Sequence, residues 1–253
     1  MTLPYLPAPT LHIGPLVLPA FDLLAVAAAA SGCAIVVQRA ARLGWERERA
    51  LNLTLWMVLC GGVGSHVFAM LAYQPELVRT NPLVLLRVWG AMSSFGGIAG
   101  GLIGGLITAR RMKLSRADIY RYFDIVAFAF PFAWIFGRAG CALVHDHLGI
   151  ASSSFFAVEF PGGPRLDLGL LELIYTVALA ALFLWLDQMP RRSGYFLGLF
   201  FALYGPVRFA LDELRTGDIR YWGWTPGQFA AFGTTFLGLA CLIAIKRDPR
   251  SDA

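Results

Sequence analysis

The chain has 253 residues, 57% apolar and only 15% charged, with a mean hydropathy of +0.62. A soluble domain carries about a quarter charged residues, so a water-soluble globule is excluded and an integral membrane protein is indicated. The net charge of +5 suits the anionic cytoplasmic leaflet of a bilayer and requires no nucleic-acid partner.

The length accommodates about seven spans of ~20 residues. No Pro/Ser-rich or acidic linker divides the chain, and residues 1–253 read as one domain. Mostly apolar runs predict transmembrane helices at about 15–37, 51–73, 88–109, 122–144, 167–187, 194–214 and 226–245. The expected fold class is therefore all-α, a polytopic membrane helical bundle.

In the first run, "AVAAAASGCAIVVQR" places small residues before Cys33, as a cleavage site would. No Lys or Arg precedes Arg39, however, and a signal peptide needs a positive start, so no cleavage is expected. Asp22, a carboxylate inside an apolar run, is expected to face the bundle interior.

Arg39, Arg42, Arg47 and Arg49 follow the first run, Arg110, Arg111, Lys113 and Arg116 the third, Arg191 and Arg192 the fifth, and Lys246, Arg247 and Arg250 the last. These segments are expected in the cytoplasm, which puts the N-terminus outside and the C-terminus inside. The second run contains His66, whose readings are a hydrogen-bonded structural residue or a base. The third, "VWGAMSSFGGIAGGLIGGL", repeats glycine every four residues, at Gly96, Gly100 and Gly104 and at Gly97, Gly101 and Gly105. Without a preceding strand or a following Lys this is no phosphate loop; it predicts close helix packing, with Ser93 and Ser94 at its start available to a ligand.

The fourth run ends in "PFAWIFGRAGCALVHDHLG", which puts Arg138 at or inside the hydrocarbon boundary and His145, Asp146 and His147 just beyond it. A charge at that depth is expensive and functional by default. In "LYGPVRFALDELRTGD", Arg208, Asp212 and Arg215 fall at i, i+4 and i+7 and share a helix face. Two readings stand for this face: a salt-bridged helix end at the interface, or a groove wall where Asp212 orients guanidinium forks on a phosphodiester. The cysteines, Cys33, Cys60, Cys141 and Cys241, lie in or beside apolar runs without metal-like spacing. They read as buried small side chains.

Three stretches together resemble the prolipoprotein diacylglyceryl transferase family of bacteria. "WGAMSSFGG" approximates the family's W-x-G-G-M-S-F-H-G-G, "GRAGCALVHDHLG" its signature G-R-x-G-N-F-x-N-G-E-x-x-G, and "YGPVRFALDELRTGD" its Y-G-x-x-R-F-x-x-E-x-x-R-x-x-D. "HIGPLVL", "LVLLRVW" and "PGQFAAF" add to the similarity. The departures are Phe95 for the family's His, Cys141 and Asp146 for the signature Asn and Glu, Phe21 for a Tyr, and Asp212 for a Glu.

The resemblance implies diacylglyceryl transfer from phosphatidylglycerol to the lipobox cysteine of a preprolipoprotein, in the bacterial cytoplasmic (inner) membrane, with no metal or organic cofactor. It implies catalytic roles for Arg138 and Arg208, and substrate contacts from these and from Arg215, Asp146, Asp212, Ser94 and Tyr204. Because Phe95 accepts no proton, His145 and His147 are the expected candidates for the thiol's base, with His66 a third. Two alternatives stay open: a phospholipid-dependent transferase with another acceptor, and a non-catalytic phospholipid-binding or transport protein.

Overall fold

A computed structural model describes residues 2–14, 16–87 and 90–247. Val88 and Trp89 of the third-run motif, and Arg250 of the basic tail, lie outside the described residues. The elements in chain order are β1 (Leu3–Pro4), β2 (Thr10–Ile13), β3 (Leu16–Pro19), α1 (Ala20–Arg42), α2 (Arg47–Tyr73), α3 (Pro75–Thr80), a 3-10 turn (Pro82–Leu86), α4 (Ser94–Arg111), α5 (Arg116–Val144), β4 (Leu148–Ala151), β5 (Ala157–Phe160), β6 (Gly163–Asp167), α6 (Leu168–Leu186), α7 (Tyr195–Glu213) and α8 (Pro226–Arg247).

Each expected apolar run coincides with a helix. Five of them, α1, α2, α5, α6 and α8, are long and apolar enough to cross a membrane. The other two are more polar: α4 ends on Arg110 and Arg111 and is rich in glycine, and α7 carries Arg208, Asp212 and Glu213. Large apolar side chains such as Leu55, Leu59, Leu184, Trp185 and Phe236 lie exposed on the helices. Exposed apolar side chains along membrane-length helices are costly in water and matched by lipid.

The all-α expectation needs one correction. The chain also forms a four-stranded sheet in the order β1-β5-β6-β4, with β1 parallel to β5 and the other pairs antiparallel, and a separate β2–β3 hairpin whose second strand lies at the start of the first apolar run. The first helix accordingly starts at Ala20 and not near residue 15, because Leu16–Pro19 is paired as a strand. Asp22 then falls in the exposed first turn of α1, where a carboxylate meets the positive end of the helix dipole, and does not face the interior.

The glycine stripe packs α4 on α2. A Cβ at Gly100 would stand 2.3 Å from the Cys60 carbonyl oxygen, so only glycine permits this backbone approach. An aromatic core of Phe95, Phe128, Phe183, Phe196, Phe200 and Tyr204 joins α4, α5, α6 and α7. A second core, around Leu53, Tyr122 and Ile125, joins α2 and α5, with the Tyr122 hydroxyl held by Thr54.

Candidate active site

Three helices bring the central residues together, and the start of α8 supports them. Arg138 sits near the C-terminal end of α5, Glu172 in the second turn of α6, and Tyr204, Arg208 and Asp212 on one face of α7. All five are buried, at 3% exposure or less. Glu172 is the hub: Arg138 Nε lies 3.0 Å from its Oε1, Arg208 Nη1 lies 3.3 Å from its Oε2, and the Tyr204 hydroxyl donates to Oε1 at 2.7 Å.

Arg208 Nη2 also reaches Asp212 Oδ1 at 2.7 Å, and Thr225 Oγ1 donates to the other Asp212 oxygen at 3.1 Å. Thr225 precedes α8 as the first half of a reciprocal cap: the Gln228 N–H donates to its hydroxyl at 3.0 Å while its own N–H donates to Gln228 Oε1 at 2.9 Å. Gly227 in that turn passes so close to Asp212 that a Cβ would come within 1.9 Å of Oδ2. Arg215 pairs with Asp218 at 3.0 Å and stands 3.7 Å from Asp212.

Charge balances across this cluster, but hydrogen-bond alignment does not. Arg138 Nε, Arg208 Nε and Trp134 Nε1 are buried donors without an aligned partner among the described residues. Trp134 lies one turn before Arg138, whose guanidinium stacks over the indole at 4.5 Å. Unsatisfied buried donors are rare and call for an explanation; here they amount to unused donor capacity beside two guanidinium groups.

Trp134 also lines an apolar cavity of about 360 Å³ between α1, α2, α4, α5 and α7. Ser94 lies on that cavity's wall, apart from the ion pairs. Phe95 is buried against Tyr204, with ring centroids 6.2 Å apart, so this position is packing and offers no proton acceptor.

The two histidines after α5 separate. His145, in left-handed conformation at φ 52°, ends the helix, with Nδ1 2.5 Å from Asp167 Oδ2, Nε2 2.9 Å from the Leu6 carbonyl oxygen, and its ring between Tyr5 and Phe160. It ties α5 to the strands. His147 Nδ1 instead bonds Asp146, and the side chains of Cys141, Asp146 and His147 offer ligand atoms that all lie within 4.8 Å of one another. Arg138 Nη1 donates to Cys141 Sγ at 3.6 Å. Burial pushes the His147 imidazole below its ordinary value and outweighs the raising effect of the Asp146 hydrogen bond. Burial raises the Asp146 carboxyl, yet the hydrogen bond and charge of His147 and the charge of Arg138 hold it lower overall.

His66 is fully occupied, its ring nitrogens 3.1 Å and 2.9 Å from the carbonyl oxygens of Ala91 and Val84. Arg79 and Arg220 pair with Glu76 and Glu213 away from the cluster. The strand after His147 is joined to the end of α7 by Ile150 N–H to Leu214 O at 3.0 Å and by a bridge between Gly149 and Arg215, which closes the ring of motifs. Sequence reasoning missed Glu172, Thr225 and Trp134. The signal for Glu172 was present, because it is the sole charged residue in the 19-residue run of α6.

Fold and site together define a multi-pass, mostly helical membrane protein whose apolar bundle buries paired arginines and carboxylates under a strand cap. The chain belongs to the prolipoprotein diacylglyceryl transferase family, whose model matches residues 9–244. It is 30% identical over 226 residues to the phosphatidylglycerol–prolipoprotein diacylglyceryl transferase of Chromohalobacter salexigens, covering 85% of this chain and 84% of that one. It is 31% identical over 256 residues to the enzyme of the same name from Janthinobacterium sp. (strain Marseille), covering 94% and 96%.

Proposed function

We propose that the chain transfers the diacylglyceryl group of phosphatidylglycerol to the cysteine thiol of a prolipoprotein lipobox at the bacterial inner membrane. The sulfur attacks the glyceryl carbon next to the phosphate; a thioether C–S bond forms, the C–O bond breaks, and glycerol phosphate leaves with the electron pair. Two needs follow: a thiolate, and stabilisation of the phosphate as its charge develops.

The observation that carries this reading is that Arg138 and Arg208, from α5 and α7, share one buried carboxylate, while Arg208 Nε has no hydrogen-bond partner among the described residues and Arg138 Nε, 3.0 Å from Glu172 Oε1, makes no aligned hydrogen bond. A phosphodiester meets those donors with its free oxygens. Glu172 and Tyr204 hold the guanidinium groups in place, Asp212 orients Arg208 and Arg215, and the cavity wall that includes Ser94 accommodates acyl chain. Asp146 and His147 lie on the side of Arg138 where the thiol approaches, and serve its ionisation. His145 is assigned to anchoring.

Seven crossings, with the N-terminus outside and the C-terminus in the cytoplasm, are part of this proposal, and strand pairing supports them by parity. Paired segments lie on one side of a bilayer, so an even number of crossings separates them. Between β1 and β5 stand α1, α2, α4 and α5, and the count is even only if α4 crosses. Between Gly149 and Arg215 stand α6 and α7, so α7 crosses as α6 does.

The test is purified protein in detergent with phosphatidylglycerol and a lipobox peptide, read as the peptide's mass gain and the release of glycerol phosphate. Arg138→Ala and Arg208→Ala are each expected to lose about 100-fold or more, since removing one preorganised donor costs on the order of 3 kcal/mol. Full activity in Arg138→Ala overturns the phosphate role. Apolar Phe95 at the centre of the site favours a second reading, a lipid binder without catalysis; wild-type protein that binds the lipid yet never modifies the peptide establishes it.

A further inference from the structure

We propose that the Trp134 indole N–H donates to an ester carbonyl of the bound phospholipid, so that the protein selects ester-linked over ether-linked lipids. The inference rests on the lipid site proposed above and names the class of chain linkage that this site takes. Trp134 lies on α5, a membrane-length helix, and lines the apolar cavity of about 360 Å³. Its Nε1 is buried and has no hydrogen-bond partner among the described residues. An indole nitrogen donates and does not accept, so what is missing is an acceptor. Inside a membrane no bulk water supplies one, and an unmet N–H there is costly.

The cavity wall does not supply the acceptor either. Gly61, Gly62, Gly97, Gly101, Ala129 and Ala133 line it with carbon and keep it open. Two hydroxyls on the same wall are engaged elsewhere. Thr54 donates to the Ala50 carbonyl oxygen at 2.7 Å, and Ser65 donates to the Ser93 carbonyl oxygen at 2.8 Å while accepting the Ser93 N–H at 3.0 Å. The acceptor therefore arrives with the occupant.

Two neighbours of the indole define that occupant. On one side is apolar space that fits an alkyl chain; on the other is the Arg138 guanidinium, stacked over the ring at 4.5 Å, which meets the phosphate in the proposed function. The missing group is thus an acceptor at the head of an alkyl chain and one glyceryl unit from a phosphate. An ester carbonyl of a glycerophospholipid meets that description. A diether lipid has the same phosphate, glycerol and chains but no carbonyl, and leaves the indole unpaired, which is how a buried polar group rejects a close analogue.

The experiment measures binding of diester phosphatidylglycerol, and of its diether analogue with equal chain lengths, to purified protein in detergent. Wild-type protein is expected to bind the diester about fivefold more tightly, the ratio that an ordinary neutral hydrogen bond corresponds to. Trp134→Phe is expected to erase this preference by weakening the diester. Phenylalanine is also a poorer cation–π partner for Arg138, but a loss that acts through Arg138 reaches both lipids alike. Equal weakening of both lipids, or a preference unchanged in Trp134→Phe, overturns the contact. Wild-type protein that does not distinguish the two lipids overturns it as well, whether or not the variant folds. Infrared spectra of bound lipid with isotope-labelled ester carbonyls give a readout apart from affinity: the carbonyl band should lie at lower frequency in wild-type protein than in Trp134→Phe, and coincident bands contradict the proposal. Protein that modifies the lipobox peptide equally well from either lipid loses the contact and keeps the transferase reading. Protein that shows the preference and the band shift yet modifies no peptide keeps the contact and loses the transferase reading.

Discussion

Glu172 governs the site because two buried guanidinium groups depend on it. Glu172→Gln keeps the shape and removes the charge, leaving Arg138 and Arg208 with less compensation than a buried cation tolerates. It should destabilise the protein by about 3–5 kcal/mol, read as thermal unfolding in detergent, and lower transfer with it. Tyr204→Phe removes one bond to Glu172 and should cost only about 1 kcal/mol. Arg138→Lys keeps the charge but loses the planar fork, so transfer should fall by at least 10-fold while lipid binding falls less; equal losses in both assays would contradict a leaving-group role. At this scale the sequence was uneven. Arg138, Arg208 and Asp212 were legible because a charge in an apolar run stands out, whereas Glu172 was passed over although the same rule applied. Which of His145 and His147 faces the arginines was not legible, because the left-handed residue that ends α5 sends two nearly adjacent side chains in different directions. The convergence of Cys141, Asp146 and His147 was not legible for a related reason: it depends on the left-handed turn at His145 that folds the loop back on the end of α5.

The helices themselves were largely readable, since each apolar run matches one, and the glycine repeat was read correctly as a packing face. Gly100→Leu should therefore separate α4 from α2, because its first side-chain carbon already meets the Cys60 backbone; the expected result is loss of folded protein on extraction, checked by size-exclusion chromatography. The strands were not readable. Leu16–Pro19 continues the apolar character of α1, and only its pairing with Thr10–Ile13 makes it a strand. The proposed topology, with the N-terminus outside and α4 crossing along with α1, α2, α5 and α6, predicts that reporters fused after Arg49, Arg116 and Arg192 all report the cytoplasm. A periplasmic signal at any of these three positions would refute the span count.

For the molecule as a whole, Trp134 joins the cavity it lines to the arginine cluster it stacks on, and in the proposed function these are two parts of one lipid site. Narrowing the apolar part should affect lipid binding and leave the ion pairs alone. Ala133→Phe, on the cavity wall, is expected to weaken phosphatidylglycerol binding several-fold, measured by lipid retained through purification, with little change in thermal stability. The parallel pairing of β1 with β5 also orders events during synthesis. Residues 3–4 leave the ribosome long before residues 157–160, with four long helices and the short α3 between them, so the first strand has no partner until more than half of the chain has been made. Closure of the cap is therefore a late step, and a bulky fusion at the N-terminus would stand where that strand has to dock, which makes the C-terminus the better place for a purification handle.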